Sequence, residues 1–363
     1  MPQRDNTKMK KSLARFKKIT KRVLWWGVLF ALVFSVTFYA YPTLIGAAKE
    51  SKEKTCVLRL WHVDSFEGGV GSRANFLKNA AVEYARRENN VLVVVSSYTL
   101  DGLHVEIERG NVPELISFGV GAALSDRLFL RFDRSFLRDI FRSAELQTPS
   151  FSAESRVLPW CCGRYALYAK SGDFLDLSVV PTSRTAVSHG GNNLPEAAAA
   201  YAFPSVEGIS VSPSVTAYLS FLNGEKDYLL GTQRDAYRFA SRGVDVAARY
   251  LQGYGDLYQC IGVTKATDRQ SSLYCIGFLR YLLSAEVQMR LSAVGMFSAL
   301  YRVYTRKQTE ENAIMRSIED EVFKRGAERR RADVFSSLDV LSQMRRSAKN
   351  GNLTELQSYL IVK

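Results

Sequence analysis

Trp61, His62, Asp64 and Glu67 stand within seven residues of one another, and Gly68-Gly69-Val70-Gly71-Ser72 follows directly. Aromatic faces suit the C–H face of a sugar ring, and carboxylates accept hydroxyl hydrogen bonds as charged acceptors. The competing reading is architectural: Trp61 in the core, His62 as strand-end packing, and the two acids favoured by a helix dipole. Catalytic readings find little support. A glycosidase needs carboxylates on both sides of a cleft, yet Asp64 and Glu67 share one loop and no second acidic motif stands out. The three histidines, His62, His104 and His189, sit in unrelated contexts, which leaves little room for a histidine triad or a metal centre. The glycine loop has no lysine of the phosphate-cradling type. Cys56, Cys161, Cys162, Cys260 and Cys275 lack zinc-site spacing. No enzyme activity and no cofactor is expected; the pattern points to binding.

The flanking residues tell how this loop would be held. Val57–Val63 reads as a strand and Phe76–Arg87 as a helix with Phe76, Leu77, Ala80, Ala81 and Tyr84 on one face. Val91–Ser97 is an apolar run of the kind buried on both faces of a parallel sheet. Strand, helix and strand in that order make a βαβ unit and an α/β fold. Ligands of such sheets sit at the carboxyl ends of strands, where this loop lies. Tyr98 ends the second strand, and Pro113–Gly119 is a third.

The net charge of +13 is unevenly spread. Nine Lys/Arg against one Asp in the first 22 residues supply +8 of it. The rest carries no basic stripe of the nucleic-acid-binding kind, so no nucleic-acid partner is expected. Val23–Ala48 follows the basic head with no charge over 26 residues, and about 20 suffice to cross a bilayer. A basic flank before an apolar span keeps the N-terminus cytoplasmic. Residues 1–22 are thus a cytoplasmic segment, 23–48 a transmembrane anchor or a signal sequence, and 49–56 a linker. The alternative to an anchor is cleavage after Gly46-Ala47-Ala48. In either case the remainder is extracytoplasmic.

Further along, Val157–Lys170 reads as a turn entering a new strand and as a crossing between lobes. His189-Gly190-Gly191-Asn192-Asn193 reads as an exposed loop. Thr232, Gln233 and Arg234 follow a strand-ending Gly231. Val244–Leu251 is strand or helix. Gln252–Asp256, with Tyr254, is a candidate second crossing. Leu273–Leu283 is helical, and from Thr309 onward the pattern is amphipathic helix, with Ile314, Ile318 and Val322 on one face and Val334, Leu338, Leu341 and Met344 on another.

Three stretches resemble the extracellular solute-binding proteins of ABC import systems, in the large family dominated by sugar binders. They are Leu58–Gly69, Pro113-Glu114-Leu115-Ile116-Ser117-Phe118-Gly119, and Phe278-Leu279-Arg280-Tyr281-Leu282-Leu283-Ser284-Ala285-Glu286-Val287-Gln288 with Gly295-Met296-Phe297. The resemblance implies an α/β, two-lobed periplasmic-binding-protein-like fold of type II behind the N-terminal transmembrane helix. It implies residues 57–157 and 259–298 in lobe 1, and 158–258 and 299–363 in lobe 2. It further implies hinge closure around a small solute, a sugar or oligosaccharide, and delivery to permease subunits driven by a cytoplasmic ATPase. A membrane-anchored sensor or scaffold without transport is the alternative. The candidate ligand residues are Trp61, His62, Asp64, Glu67, Tyr98, Trp160, Gln233 and Tyr254. The chain departs from the family in having a transmembrane segment instead of a lipidated cysteine, and in a short, loop-like stretch around 175–215.

Overall fold

A computed structural model describes residues 5–40, 55–66, 69–143, 156–170, 179–299 and 330–362. The chain forms two compact units, Met1–Thr55 and Cys56–Lys363. In the first, one helix runs through Asp5–Ser35 and continues as a π-helical turn, Val36–Ala40. Its span Ile19–Phe38 is long and apolar enough to cross a membrane, and none of it is buried. The basic head and the charge-free stretch from Val23 therefore share one continuous helix. Residues 41–48 of the expected span lie outside the described residues.

The second unit is built on two main sheets. The first has six strands in the order β12-β4-β11-β3-β1-β2. These are β1 (Cys56–His62), β2 (Val91–Ser97), β3 (Leu115–Gly119), β4 (Leu158–Cys162), β11 (Tyr258–Val263) and β12 (Phe297–Ser298). β1 pairs parallel with β2 and β3, whereas β11 runs antiparallel to β3 and β4. The second sheet orders five strands β7-β6-β8-β5-β9: β5 (Tyr165–Lys170), β6 (Thr185–His189), β7 (Ser210–Pro213), β8 (Tyr228–Thr232) and β9 (Val246–Tyr250). A small third sheet joins β10 (Tyr254–Gly255), β13 (Arg330–Ala332) and β14 (Leu360–Val362).

Three features depart from the sequence reading. β2 is apolar throughout but lies at the sheet edge, so its outward face stays open: Leu92 is 46% exposed and Val94 42%. β3, β4 and β11, by contrast, are buried along their whole length. Leu158–Cys162 belongs to the first sheet, so the chain changes sheet at Gly163–Arg164, not before Leu158. Finally, Val334 follows a strand, and the helix begins only at Leu338. That helix (Leu338–Lys349) packs on the Pro195–Ala202 helix through Arg345 and Glu196, 3.3 Å apart. Ile314, Ile318 and Val322 lie outside the described residues.

The Val244–Leu251 ambiguity resolves as β9, and Asp268 caps the Arg269–Leu282 helix by accepting from the Gln270 and Ser271 amides. In the third sequence stretch, Ser284 caps the short Ala285–Gln288 helix. Gln288 is fully buried. Its Nε2 donates to the carbonyls of Trp160 and Leu282, and its Oε1 accepts from Ser298 Oγ and the Ala299 amide. This glutamine joins a helix end to β4 and β12. Glu286, in the same stretch, makes only an exposed pair with Arg87 at 2.6 Å.

Gln288→Ala should therefore orphan several buried groups and cost about 3 kcal/mol, whereas Glu286→Ala should cost less than about 1 kcal/mol. Urea unfolding of the two variants checks this; a loss below about 1 kcal/mol in Gln288→Ala would remove it from that role.

Candidate functional site

The loop after β1 starts from a hydrogen-bonded chain rooted in the core. Trp160 Nε1 donates to Ser117 Oγ at 2.9 Å, and Ser117 Oγ lies 3.0 Å from His62 Nδ1. His62 Nε2 lies 3.0 Å from Asp64 Oδ1, which also accepts from Arg73 Nε at 2.7 Å. Every distance is satisfied by neutral His62 protonated on Nε2, with the Ser117 hydroxyl donating to Nδ1. Burial holds the His62 pKa down, against the opposing pull of Asp64. At Asp64 burial pushes the other way, but the hydrogen bond from His62 and the charge of Arg73 outweigh it and leave the pKa at about 2. Arg73 opens the Arg73–Arg87 helix, is buried, and donates from Nη2 to the Phe66 carbonyl. Its plane covers the Phe66 ring at 4.2 Å, while Nη1 finds no hydrogen-bond partner among the described residues.

Gln259 secures the next stretch from β11. Its Nε2 donates to the Val63 carbonyl at 2.6 Å, and its Oε1 accepts from Ser65 Oγ at 3.1 Å. Gly119 is needed there, because a Cβ would fall 2.0 Å from Ser65 Oγ.

The second lobe brings the ends of β6 and β8 to the same place. Gln233, at the start of the Gln233–Ser241 helix, accepts from the Arg164 amide at 2.8 Å, and its own amide donates back to the Arg164 carbonyl at 3.0 Å. Its Nε2 reaches the Gly295 carbonyl at 3.5 Å. Gly163 leaves the space that this amide fills, since a Cβ there would meet it at 2.9 Å. Asp256 organises the second change of sheet. It accepts from Tyr165, from Tyr254 and from the Leu194 amide, and Asn193 Nδ2 donates to Tyr165 Oη. Burial, then the Asp256 charge, push the Tyr165 and Tyr254 phenols well up.

The expected ligand residues fall into two groups. Trp61, His62, Trp160, Gln233 and Tyr254 are all buried, and each serves packing or a hydrogen bond within the fold. Trp160 stacks on Phe76 at 5.8 Å and Trp61 on Tyr98 at 4.5 Å. In this closed arrangement the architectural reading of these five side chains accounts for what they touch. Asp64, with its side chain 56% exposed, and half-buried Tyr98 are the more open ones. Glu67 lies outside the described residues. Ser117, Gln259, Arg73 and Asp256 were not singled out from the sequence. Ser117, Gln259 and Asp256 are ordinary polar residues whose importance comes from partners far along the chain, whereas Arg73 acts on Asp64 and Phe66 across the glycine loop.

The two lobes touch at these strand ends. The His189–Asn193 stretch is a contact and not a free loop: Gly191 bridges Phe66 across the lobes. Next to it a recess of about 10 Å³, lined by Ser188, Asn193, Thr232 and Arg234, has room for about one water molecule. Larger recesses among the described residues lie elsewhere. One of about 460 Å³ runs between the Arg73–Arg87 helix and Arg290–Val294, and one of about 420 Å³ sits beside Glu196 and Lys349. No group of three or more metal-ligating side chains occurs among the described residues.

Two sheets flanked by helices, exchanged twice by the chain and joined at their strand ends, make the two-lobed type II periplasmic-binding-protein fold. Solved structures of that class match it over most of its length. The sugar-binding protein MalE of the phytopathogen Xanthomonas citri is 12% identical, with a TM-score of 0.58 over 84% of this chain and 96% of its own. The galacto-N-biose/lacto-N-biose I-binding protein of a Bifidobacterium longum ABC transporter, solved with lacto-N-biose, is 11% identical, with a TM-score of 0.57 over 85% and 97%. The spermidine/putrescine ABC transporter substrate-binding protein PotD of Streptococcus pneumoniae is 10% identical, with a TM-score of 0.55 over 83% and 98%. These neighbours are binding proteins. No protein-family model and no curated protein matches the sequence.

His62 has a pH signature. Its native pKa lies below the ordinary value near 6.5, so the unfolded chain takes up a proton first as pH falls. Stability should decline as pH drops below about 6.5, by at most about 1.4 kcal/mol per pH unit from this residue, until the native pKa is reached. Urea melts between pH 8 and 5 should show a shallower decline in His62→Gln than in the wild type; equal slopes would mean that His62 is not held neutral.

Proposed function

We propose that the chain is a membrane-tethered, extracytoplasmic receptor that holds a small solute between its two lobes and delivers it to an ABC importer permease. The observation that carries this reading is the two-lobed fold. Its strand ends converge from both sheets, and its neighbours are sugar- and polyamine-binding proteins. The apolar Ile19–Phe38 helix behind a basic head supports a tether with a cytoplasmic N-terminus. A sugar or oligosaccharide is the favoured solute. Asp64 offers a preformed, ionised acceptor after β1, and Tyr98 offers a half-buried aromatic ring after β2. Eight proposed contacts (Trp61, His62, Asp64, Glu67, Tyr98, Trp160, Gln233 and Tyr254) remain for mutagenesis, with Asp64 and Tyr98 first because their side chains are accessible. The second reading is a membrane-anchored sensor or scaffold without transport.

A thermal-shift screen of the detergent-solubilised protein against saccharides, polyols and polyamines tests the receptor reading. A ligand at 100-fold its Kd adds about 2.7 kcal/mol. A saccharide that raises the midpoint, with an affinity weakened on the order of tenfold in Asp64→Asn, is the expected result. A response to polyamines alone would discard the sugar, and no response at all would discard solute binding. For the tether, intact-mass measurement of the mature protein should find residues 1–48 still present; a chain starting after Ala48 would make the helix a cleaved signal.

A further inference from the structure

Where the loop after β6 meets the first lobe, backbone groups make most of the contact. On the first lobe stand Ser65 and Phe66, after β1, and Gly121, after β3. On the second stands the loop after β6. The Asn192 amide donates to the Ser65 carbonyl at 2.8 Å, Phe66 and Gly191 form an antiparallel bridge, and Asn192 Nδ2 donates to the Gly121 carbonyl at 3.3 Å. The approach leaves no room for side chains. A Cβ at Gly191 would lie 2.7 Å from the Ser65 carbonyl oxygen and 2.9 Å from Phe66 Cα, and one at Gly121 would lie 2.4 Å from Asn192 Cβ. Both glycines also take positive φ, 78° and 88°, a conformation that disfavours other residues.

Each half of the contact is fixed to its own lobe. Gln259 holds Val63 and Ser65. On the other side Asp256 receives the Leu194 amide, Asn193 donates to Tyr165, and Arg345 Nη2 lies 3.2 Å from His189 Nε2. Two mounted loops that meet backbone to backbone form a specific contact. It also lies at the carboxyl ends of strands, where an α/β sheet receives its ligand.

We propose that the His189–Asn193 loop is a built-in latch that joins the lobes in the absence of solute by acting as a ligand mimic. Its Asn192 supplies two N–H donors to two carbonyls on the first lobe, Ser65 and Gly121. A solute that enters there must replace those donors. The chemistry this wall accepts is therefore rich in O–H or N–H groups, a polyol, sugar or amine, and not an anion such as phosphate. Asp64, ionised beside the same wall, repels an anion for the same reason. The latch itself rests only on the interlobe geometry, and its competition with solute rests on the receptor reading. A solute that binds the open form has its apparent affinity reduced by the fraction of molecules that are unlatched.

Hydrogen exchange on the full-length protein in detergent micelles, without ligand, tests the latch. The Asn192 amide should exchange on the order of tenfold or more slower than its intrinsic rate. Gly121→Ala should abolish that protection while amides in β3 and β8 stay protected. Gly121→Ala combined with Asn192→Gly, which removes the clashing Cβ but keeps the backbone donor, should restore it. An unprotected Asn192 amide in the wild type, or protection untouched by Gly121→Ala, overturns the latch. Maltotriose, spermidine and inorganic phosphate then serve as probes on wild type and Gly121→Ala. Tighter binding of maltotriose or spermidine to the variant, and none of phosphate, is the result expected. Phosphate binding overturns the donor-rich assignment. Protection of Asn192 with no binding of any probe leaves the latch standing and removes the receptor reading instead.

Discussion

Where a strand stops, its peptide groups lose their neighbours, and in a buried place each must find another partner. This requirement shapes the second unit of the protein at every point where the chain changes sheet. Gln233 meets the Arg164 amide at the first change, and Asp256 meets the Leu194 amide beside the second. Gln259 holds the Val63 carbonyl after β1, and Gln288 holds the Trp160 carbonyl and the Ala299 amide at the far edge of the same sheet. Three of these four side chains are amides, which carry a donor and an acceptor together and so serve both kinds of orphaned group. None brings a charge that would need its own compensation.

The same requirement explains why the region between the lobes offers a ligand so few side chains. Trp160, Ser117, His62, Asp64 and Arg73 form one connected series from the core to the loop tip, and its inner members are occupied with one another. Only the last carboxylate emerges. The groups left at the surface of the contact are mainly backbone carbonyls and amides, and these are what the opposing loop engages.

The N-terminal helix stands apart in its physics. Residues of the Ile19–Phe38 span such as Trp25, Trp26 and Phe30 are open to their surroundings, and the span is long and apolar enough to cross a membrane. The exposed apolar edge at Leu92 and Val94 is of a different kind, an open sheet border on a folded unit.

The sequence by itself determined the parts that depend on local pattern. The charge-free stretch behind a basic head announced the membrane-grade helix. The order of strand, glycine loop and helix announced an α/β fold. Periodicity located the Arg73–Arg87 and Arg269–Leu282 helices to within a few residues. The three family-like stretches led to the two-lobed fold. Only the tertiary structure decided the rest. Val91–Ser97 has the composition of a central strand, and nothing local says that no strand would pair with its far side. Trp61 and Trp160 have the same composition whether they face a sugar or Phe76 and Tyr98; burial alone separates the two. The Gly-Gly-Asn-Asn loop reads as exposed because its residues are polar, yet its glycines are there to admit the backbone of the other lobe. Gln259 and Ser65, Gln233 and Arg164, and Asn192 and Gly121 are separated by 194, 69 and 71 residues. No window along the chain contains both members of any such pair, so their chemistry becomes visible only once the sheets have brought them together.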